Sequence, residues 1–553
     1  MTFPPGSLIP NALEQAARTD RGIHLVGRGA DYETLSYRSL SEMASKGGVA
    51  LTESGIESGD RVLLVLPTGK EFLKMFFACQ HIGAIPCPLS PPAGFGSREL
   101  FTRRLQQLVT LVDAQVVVTS EELIETVRAA SPAPTRCSAT LSGSSPPLPI
   151  SDRNPESTSF IQFTSGTTEI PKGVELSHQA LIANVKQIAS ASDITSKSVI
   201  VSWLPLHHDM GLIGGVLTAL INQADLVLSA PMTFLRRPRT WLEHLTRFSG
   251  THSPAPTFAY ATILDRLRPE DLEEIDLSSW KVAYVGAEPI PAATLHSFQK
   301  FLSPCGLSPS TLLPCYGLAE SCLAVTFSPW EKPFQTLAAS RRLLAESRSY
   351  HPPESPSDEQ TLVSCGPSVP ETQVTIRDPD SSPCPEGQIG EIWVEGPALY
   401  RGYHGQSPRP EHESLATGDL GFLLNHHLYV TGRAKDLIIL RGENHHPAEI
   451  EWALKDLKGL RKGRSAAFGI SDPRRGTETL CLVAELDRRA SVNRESLAER
   501  VQRRVQEETG LWIDQIQFVP SGTIPVTTSG KIQRSLVRRQ YLNSQQTSQD
   551  DHS

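Results

Sequence analysis

The first 130 residues alternate short apolar runs, RVLLVLP at 61–67 and AQVVVTS at 114–120, with stretches of helical spacing. A run without polar alternation is a strand buried on both faces, and strands that alternate with helices lie parallel in a sheet covered by those helices. The alternation therefore predicts an α/β fold. With 553 residues the chain exceeds what one ordinary core fills, so at least two domains are expected.

Later segments extend the pattern. SVIVSWLPL and VAYVGAEP read as further strands ending in special residues, and in open α/β sheets ligands collect at the carboxyl ends of strands. The Pro/Ser-rich stretch at 131–157 reads as an exposed connector. Residues 330–360 are too long for an ordinary connection; the first half has helical spacing and the second is a Pro/Ser/acid loop. A β-rich region ends at TGRAKD (431–436), and a compact α+β pattern follows to about residue 542. The expected division is a large N-terminal domain, 1–431, a small C-terminal domain, 432–542, and a disordered tail, 543–553.

Composition narrows the partners. Lys and Arg number 52 against 60 Asp and Glu, a formal net charge of −8, and no long basic stripe occurs. Nucleic acid and anionic membrane surfaces are thus poor partners. Nine cysteines without a CxxC suit reduced thiols in a cytoplasmic protein. The apolar stretch at 211–221 falls short of the roughly 20 residues a transmembrane segment needs, and no secretory signal is visible. The His-His pairs lack metal-ligand spacing, which argues against zinc.

FTSGTTEIPKG, residues 163–173, is the first stretch with chemistry. Its apolar lead-in reads as a strand and LSHQALIANVKQIA after it as a helix, so the loop is expected to join strand to helix. Gly166 and Lys172 have Walker A spacing, but Pro171 and Gly173 stand where that motif needs Gly and a magnesium-binding hydroxyl. Thr164, Ser165, Thr167 and Thr168 supply hydroxyls, amides near Gly166 can form an anion nest, and Lys172 adds a point charge. Read alone, this is a triphosphate loop or a Ser/Thr-rich turn with a surface lysine. Glu169 is its one discordant residue, expected to point to solvent or a neighbouring cation.

At this loop the sequence resembles the adenylate-forming superfamily of acyl and aryl acid activating ligases, whose pattern is close to [YF]TSG[ST]TGxPKG. Glu169 is the only departure, and further motifs follow in order: LPLHHDMG (204–211), GAEP (286–289), YGLAES (316–321), TGD (417–419), GRAKD (432–436) and TTSGKIQR (527–534). The resemblance implies attack of a carboxylate on the α-phosphorus of ATP with pyrophosphate leaving. A carboxylate is already ionised at neutral pH, so the site needs no general base; it must hold two anions together with Lys, amides and a divalent cation. It also implies a β-barrel-like part in the large domain and a mobile small domain.

The roles come over position by position. Lys531 matches the catalytic lysine that bridges carboxylate and α-phosphate, and Glu320 would hold Mg²⁺, a hard cation that takes carboxylate oxygens. Gly286, Ala287, Glu288 and Pro289 would approach the adenine, with Tyr316 and Gly317 against its face. Asp419 and Arg433 would contact the ribose, as short acids do at nucleotide sites. His208, beside the reacting carboxylate, Asp209, Met210, Gly211 and Phe258 would border the acyl pocket, and Lys435 would be the hinge.

Several stretches look like the fatty acyl-AMP ligase branch: WLPLHHDMGLIGG, FLRRPRTWL, PTFAY, DLIILRGENHHPAEIE, and the 330–360 segment in the place of that branch's insertion. His207 departs where the branch usually has an aromatic residue, and Thr257 where it often has Asn. The branch implies a fatty acid substrate and a holo acyl carrier protein as acceptor. Two alternatives remain: an acyl-CoA synthetase, and a catalytically silent acyl or nucleotide binding module.

Overall fold

The computed structural model describes residues 6–27, 31–92, 98–143, 149–150, 153–164, 172–410, 412–440, 443–472, 477–488, 493–527 and 531–550. Its centre is an eight-stranded sheet in the order Ala324–Phe327, Leu312–Gly317, Val282–Gly286, His252–Pro256, Val199–Ser202, Asp225–Ser229, Gly22–Val26, Tyr32–Ser36. The six inner strands are parallel and the two edge strands antiparallel. His252–Pro256 and Val282–Gly286 are buried at every position, as parallel strands covered on both faces must be. A second parallel sheet contains Arg61–Val65 and Val116–Thr119, the two runs read from sequence.

Where a barrel-like part is expected, an open four-stranded antiparallel sheet stands, built from Gln373–Arg377, Gly390–Glu395, Leu415–Leu424 and His427–Arg433. Residues from Ile438 onward make two apolar cores of their own, one around Ile450, Leu482 and Val501 and one around Phe468 and Tyr541. Lys435 lies exposed in the Ala434–Asp436 turn that leads into them. Among the described residues no helix is long and apolar enough to cross a membrane.

Four local expectations need correction. Phe163 is followed across the loop by a second strand, Gly173–Ser177, antiparallel to Thr158–Phe163, and only then by the helix His178–Ser192. The two strands form a hairpin, because GVELS is buried on both faces and pairs back onto Thr158–Phe163 before the helix begins. In the supposed connector, Thr135–Cys137 forms the edge strand of the second sheet, and a Cβ on Gly143 would come within 2.4 Å of Val49. The 330–360 segment is a hairpin, Thr336–Ser340 with Glu359–Val363, around the short helix Arg341–Glu346. Cross-strand pairing, invisible to periodicity, overrode the helical spacing. The final helix, Arg534–Asp550, carries the backbone helical through residues 543–550, where disorder was expected.

Candidate active site

Three of the motifs, LPLHHDMG, GAEP and YGLAES, lie at the carboxyl ends of central parallel strands. Leu312–Gly317 delivers Tyr316, whose hydroxyl donates to Asp419 Oδ2 at 2.8 Å. Asp419 sits directly across the antiparallel sheet from Arg433, whose Nε donates to Oδ1 at 2.9 Å. Both carboxylate oxygens are therefore engaged, and Asp419 is only 7% exposed. Burial and this carboxylate push the Tyr316 phenol far above its usual range, so it acts as a donor. Gly418, just before Asp419 in the strand Leu415–Leu424, takes a left-handed conformation at φ +74° that glycine adopts without steric cost.

Gly317 allows the next turn. A Cβ there would lie 1.7 Å from the carbonyl oxygen of Leu323, so the chain doubles back only because none is present. That turn carries Glu320, whose Oε1 accepts the Tyr403 hydroxyl at 2.9 Å while its carbonyl accepts Tyr400 N–H at 2.8 Å. The ring of Tyr403 in turn lies 4.2 Å from Lys172 Nζ, a cation–π contact. Tyr403 thus joins Lys172 to Glu320, and burial together with the Glu320 carboxylate raises its phenol well above normal. Sequence reasoning missed it, since LYRGYHG carries no signal of its own. Among the described residues no group of three metal-ligating side chains occurs. Glu320 fits Mg²⁺ as a lone carboxylate, whose other ligands would be phosphate oxygens and water.

Val282–Gly286 ends in a residue held at cost. Ala287 has φ +68°, a left-handed conformation that costs a non-glycine residue about 1–2 kcal/mol. It follows Gly286, where a Cβ would crowd Cys315 Sγ at 2.8 Å. This strained corner aims Glu288 inward, where Oε2 accepts Phe258 N–H at 3.1 Å. Burial raises the Glu288 carboxyl, against the opposing charges of Lys531 and Arg464.

Lys531 comes to the same place from the far end of the chain. Its backbone is pinned by Thr527, with Lys531 N–H donating to Oγ1 at 3.0 Å and Thr527 N–H to the Lys531 carbonyl at 2.7 Å. Burial lowers the ammonium below the ordinary lysine value; Glu288, Asp209 and Asp419 pull it back up, while Arg433 lowers it further. Three carboxylates from three separate segments thus act electrostatically on one lysine. On the opposite wall Asp209 Oδ1 accepts Met210 N–H at 2.7 Å and lies 3.9 Å from His208 Nδ1. Burial would raise Asp209, but His208, this N–H and Lys531 outweigh it and hold it below its usual value. Gly211 closes that turn, since a Cβ would meet the Pro205 carbonyl at 2.3 Å. A π-helical turn, Leu212–Leu217, follows, a geometry frequent at functional sites. Phe258 packs beside Trp203, ring centres 6.1 Å apart.

Of the phosphate loop, Thr164 and Lys172 close the hairpin through Thr164 N–H to the Lys172 carbonyl at 3.0 Å. Ser165, Gly166, Thr167, Thr168 and Glu169 lie outside the described residues. Pro289 follows the Glu288 corner, and Lys435, exposed in its turn, touches none of the groups above.

The family model described as AMP-binding enzyme matches residues 13–404. The chain is 32% identical to the medium-chain-fatty-acid–[acyl-carrier-protein] ligase JamA of Moorena producens, over 93% of this chain and 90% of that one. It is 33% identical to the long-chain-fatty-acid–AMP ligase FadD26 of Mycobacterium marinum, over 92% and 91%. A solved structure from work on fatty acyl-adenylate ligases of E. coli and L. pneumophila superposes with a TM-score of 0.93 at 32% identity, covering 99% of this chain and all of that one. The chain belongs to the AMP-binding enzyme family. Within it, the protein is an adenylate-forming ligase of the fatty acyl-AMP ligase branch.

Proposed function

We propose that the protein activates a fatty acid with ATP and passes the acyl group to the phosphopantetheine thiol of an acyl carrier protein. A carboxylate oxygen attacks the α-phosphorus, the bond to the bridging oxygen breaks, and pyrophosphate leaves with the electron pair. The thiolate sulfur then attacks the acyl carbonyl and AMP departs, the thiol proton going to solvent. The convergence of Lys531 on Glu288, Asp209 and Asp419 carries this reading. A partly desolvated ammonium already balanced by carboxylates is placed to exchange them for a substrate carboxylate and an α-phosphate.

In this reading Tyr316 and Gly286–Pro289 hold the adenine, Asp419 and Arg433 the ribose, and Lys172 with residues 164–168 the phosphates. Mg²⁺, held by Glu320, would neutralise phosphate charge. His208, Asp209, Met210, Gly211 and Phe258 border the carboxyl end of the acyl chain. Residues 432–542 form a small domain that swings about Lys435 between the two half-reactions. A cavity of about 350 Å³ between the 330–360 segment and this part, lined by Arg341, Arg348, His446 and Glu449, supports a separable interface. The bonds that cross it include Gln360 Nε2 to Glu449 Oε1 at 3.0 Å and Arg341 to the Glu508 carbonyl. All nine cysteines are free thiols, which suits a cytoplasmic location.

The test is to incubate the protein with ATP, Mg²⁺ and a fatty acid, offering CoA or a holo carrier protein, and to weigh the products by mass spectrometry. Acyl-AMP and acyl-carrier product are expected. Efficient acyl-CoA formation would overturn the choice of acceptor, and ATP binding without acyl-AMP would overturn adenylation itself.

A further inference from the structure

Tyr403 stands between a cation and an anion, and its segment is stitched to the neighbourhood of each. On one side Tyr400 N–H donates to the Glu320 carbonyl at 2.8 Å. On the other, Arg401 N–H donates to the Glu175 carbonyl at 2.9 Å and His404 N–H to the Gly173 carbonyl at 2.7 Å, one residue from Lys172. The flanking side chain is fixed as well. His404 Nδ1 lies 2.7 Å from Glu175 Oε1, and Glu175 Oε2 accepts the Thr158 hydroxyl at 2.9 Å. Tyr403 is thus held in register with Val174, its backbone pinned on both flanks.

Each part of the side chain meets one charge. Lys172 Nζ lies over the ring, 4.2 Å from its centre, and the hydroxyl donates to Glu320 Oε1 at 2.9 Å. A cation over a ring gives up none of the three ammonium N–H donors to an acceptor. A hydroxyl bonded to one carboxylate oxygen leaves the other for a further ligand. Among the described residues Glu320 Oε2 takes no bond, and Lys172 and Glu320 form no ion pair. Such a pair would neutralise both groups. Burial and the Glu320 carboxylate keep the phenol protonated, so the donor persists.

We propose that Tyr403 is a positioning residue of adenylation: its ring presets the Lys172 ammonium for phosphate, and its hydroxyl presets the Glu320 carboxylate for the divalent cation. This rests on the adenylation reading above, in which Lys172 contacts the phosphates and Glu320 holds Mg²⁺. One side chain then carries two separable effects.

Calorimetric titration with ATP, without fatty acid so that nothing turns over, is run in EDTA and again in saturating Mg²⁺. Tyr403→Phe keeps the ring and should leave the metal-free affinity unchanged. It should lose most of the gain that Mg²⁺ gives the parent, up to about tenfold, the worth of one bond to a charged group. Tyr403→Leu should show that loss and also weaken metal-free binding about two- to fivefold, the worth of an exposed cation–π contact. A merely structural tyrosine would instead lower the melting temperature and weaken ATP binding alike with and without Mg²⁺. That result, a Tyr403→Phe variant that keeps the full Mg²⁺ gain, or a parent whose ATP affinity ignores Mg²⁺ would overturn the inference. Acyl-AMP formation by the parent, weighed separately, tests adenylation. If none forms while the two variants split as stated, the adenylation reading fails and the positioning of Lys172 and Glu320 by Tyr403 stands.

Discussion

Replacing Lys531 with alanine removes the one cation that faces Glu288, Asp209 and Asp419 together with the reacting groups. Loss of a single preorganised electrostatic contact costs about 10² to 10³ in rate. Here the deletion also leaves those three carboxylates facing two incoming anions, so the upper end, about 4 kcal/mol at 1.36 kcal/mol per decade, is expected. The KM for ATP should change only a few fold, because Tyr316, Asp419 and Arg433 bond one another without Lys531. Lys531→Arg keeps the charge but moves it, and should recover only part of the rate. The assay is single-turnover pyrophosphate release with acyl-AMP weighed in parallel, and unchanged thermal melting as the folding control. The pH profile adds a second readout: the ammonium is the active form and lies below 10.5, so activity should fall as pH rises at a lower pH than for an ordinary lysine, and Lys531→Ala should lack that limb. A variant within about threefold of the parent rate, or one that keeps the alkaline limb, would refute the assignment.

Gly317→Ala would force a methyl to 1.7 Å from the Leu323 carbonyl, so the Glu320 turn must rebuild; a stability loss of about 2 kcal/mol or more, with a larger loss of Mg²⁺-dependent activity, should appear in denaturant titration and rate assays. Arg534 bonds Glu451 at 2.7 and 2.6 Å and Asp436 at 3.2 Å. Arg534→Met leaves two carboxylates facing each other at a cost of about 3–5 kcal/mol, to be read as faster hydrogen exchange across residues 436–541 and a shifted denaturant midpoint. Burial lowers His178 to about 3 and His252 to about 4, against 6.5 in the unfolded chain. A lowered folded value means that the unfolded chain binds the proton first, so each histidine should withdraw up to about 1.4 kcal/mol of stability per pH unit from about 6.5 down to about 4. His252→Gln should flatten the slope in urea melts across that window, and an unaltered slope would contradict it.

The sequence by itself determined which residues are available for the chemistry and roughly where along the chain. The apolar runs at 61–67 and 114–120 became parallel strands because burial on both faces admits no polar alternation. Lys531, Glu320, Asp419 and Tyr316, like GAEP and YGLAES, stand out in the sequence through their resemblance to family motifs, whereas the lack of room for a Cβ at Gly286 and Gly317 is visible only in the folded chain. Only the tertiary structure decided which of them meet. Tyr403, between Lys172 and Glu320, is joined to them by a short strand, Gly402–Tyr403, that pairs with Gly173–Ser177 far away in sequence. Cross-strand pairing also turned an expected strand-to-helix loop into a hairpin and the 330–360 segment into another. The environment of Lys531 likewise depends on segments more than a hundred residues away in sequence. Local periodicity reports which face of an element is apolar. Hydrogen-bond pairing between strands and the desolvation of charges depend on what the rest of the chain brings alongside, and only the folded molecule fixes them.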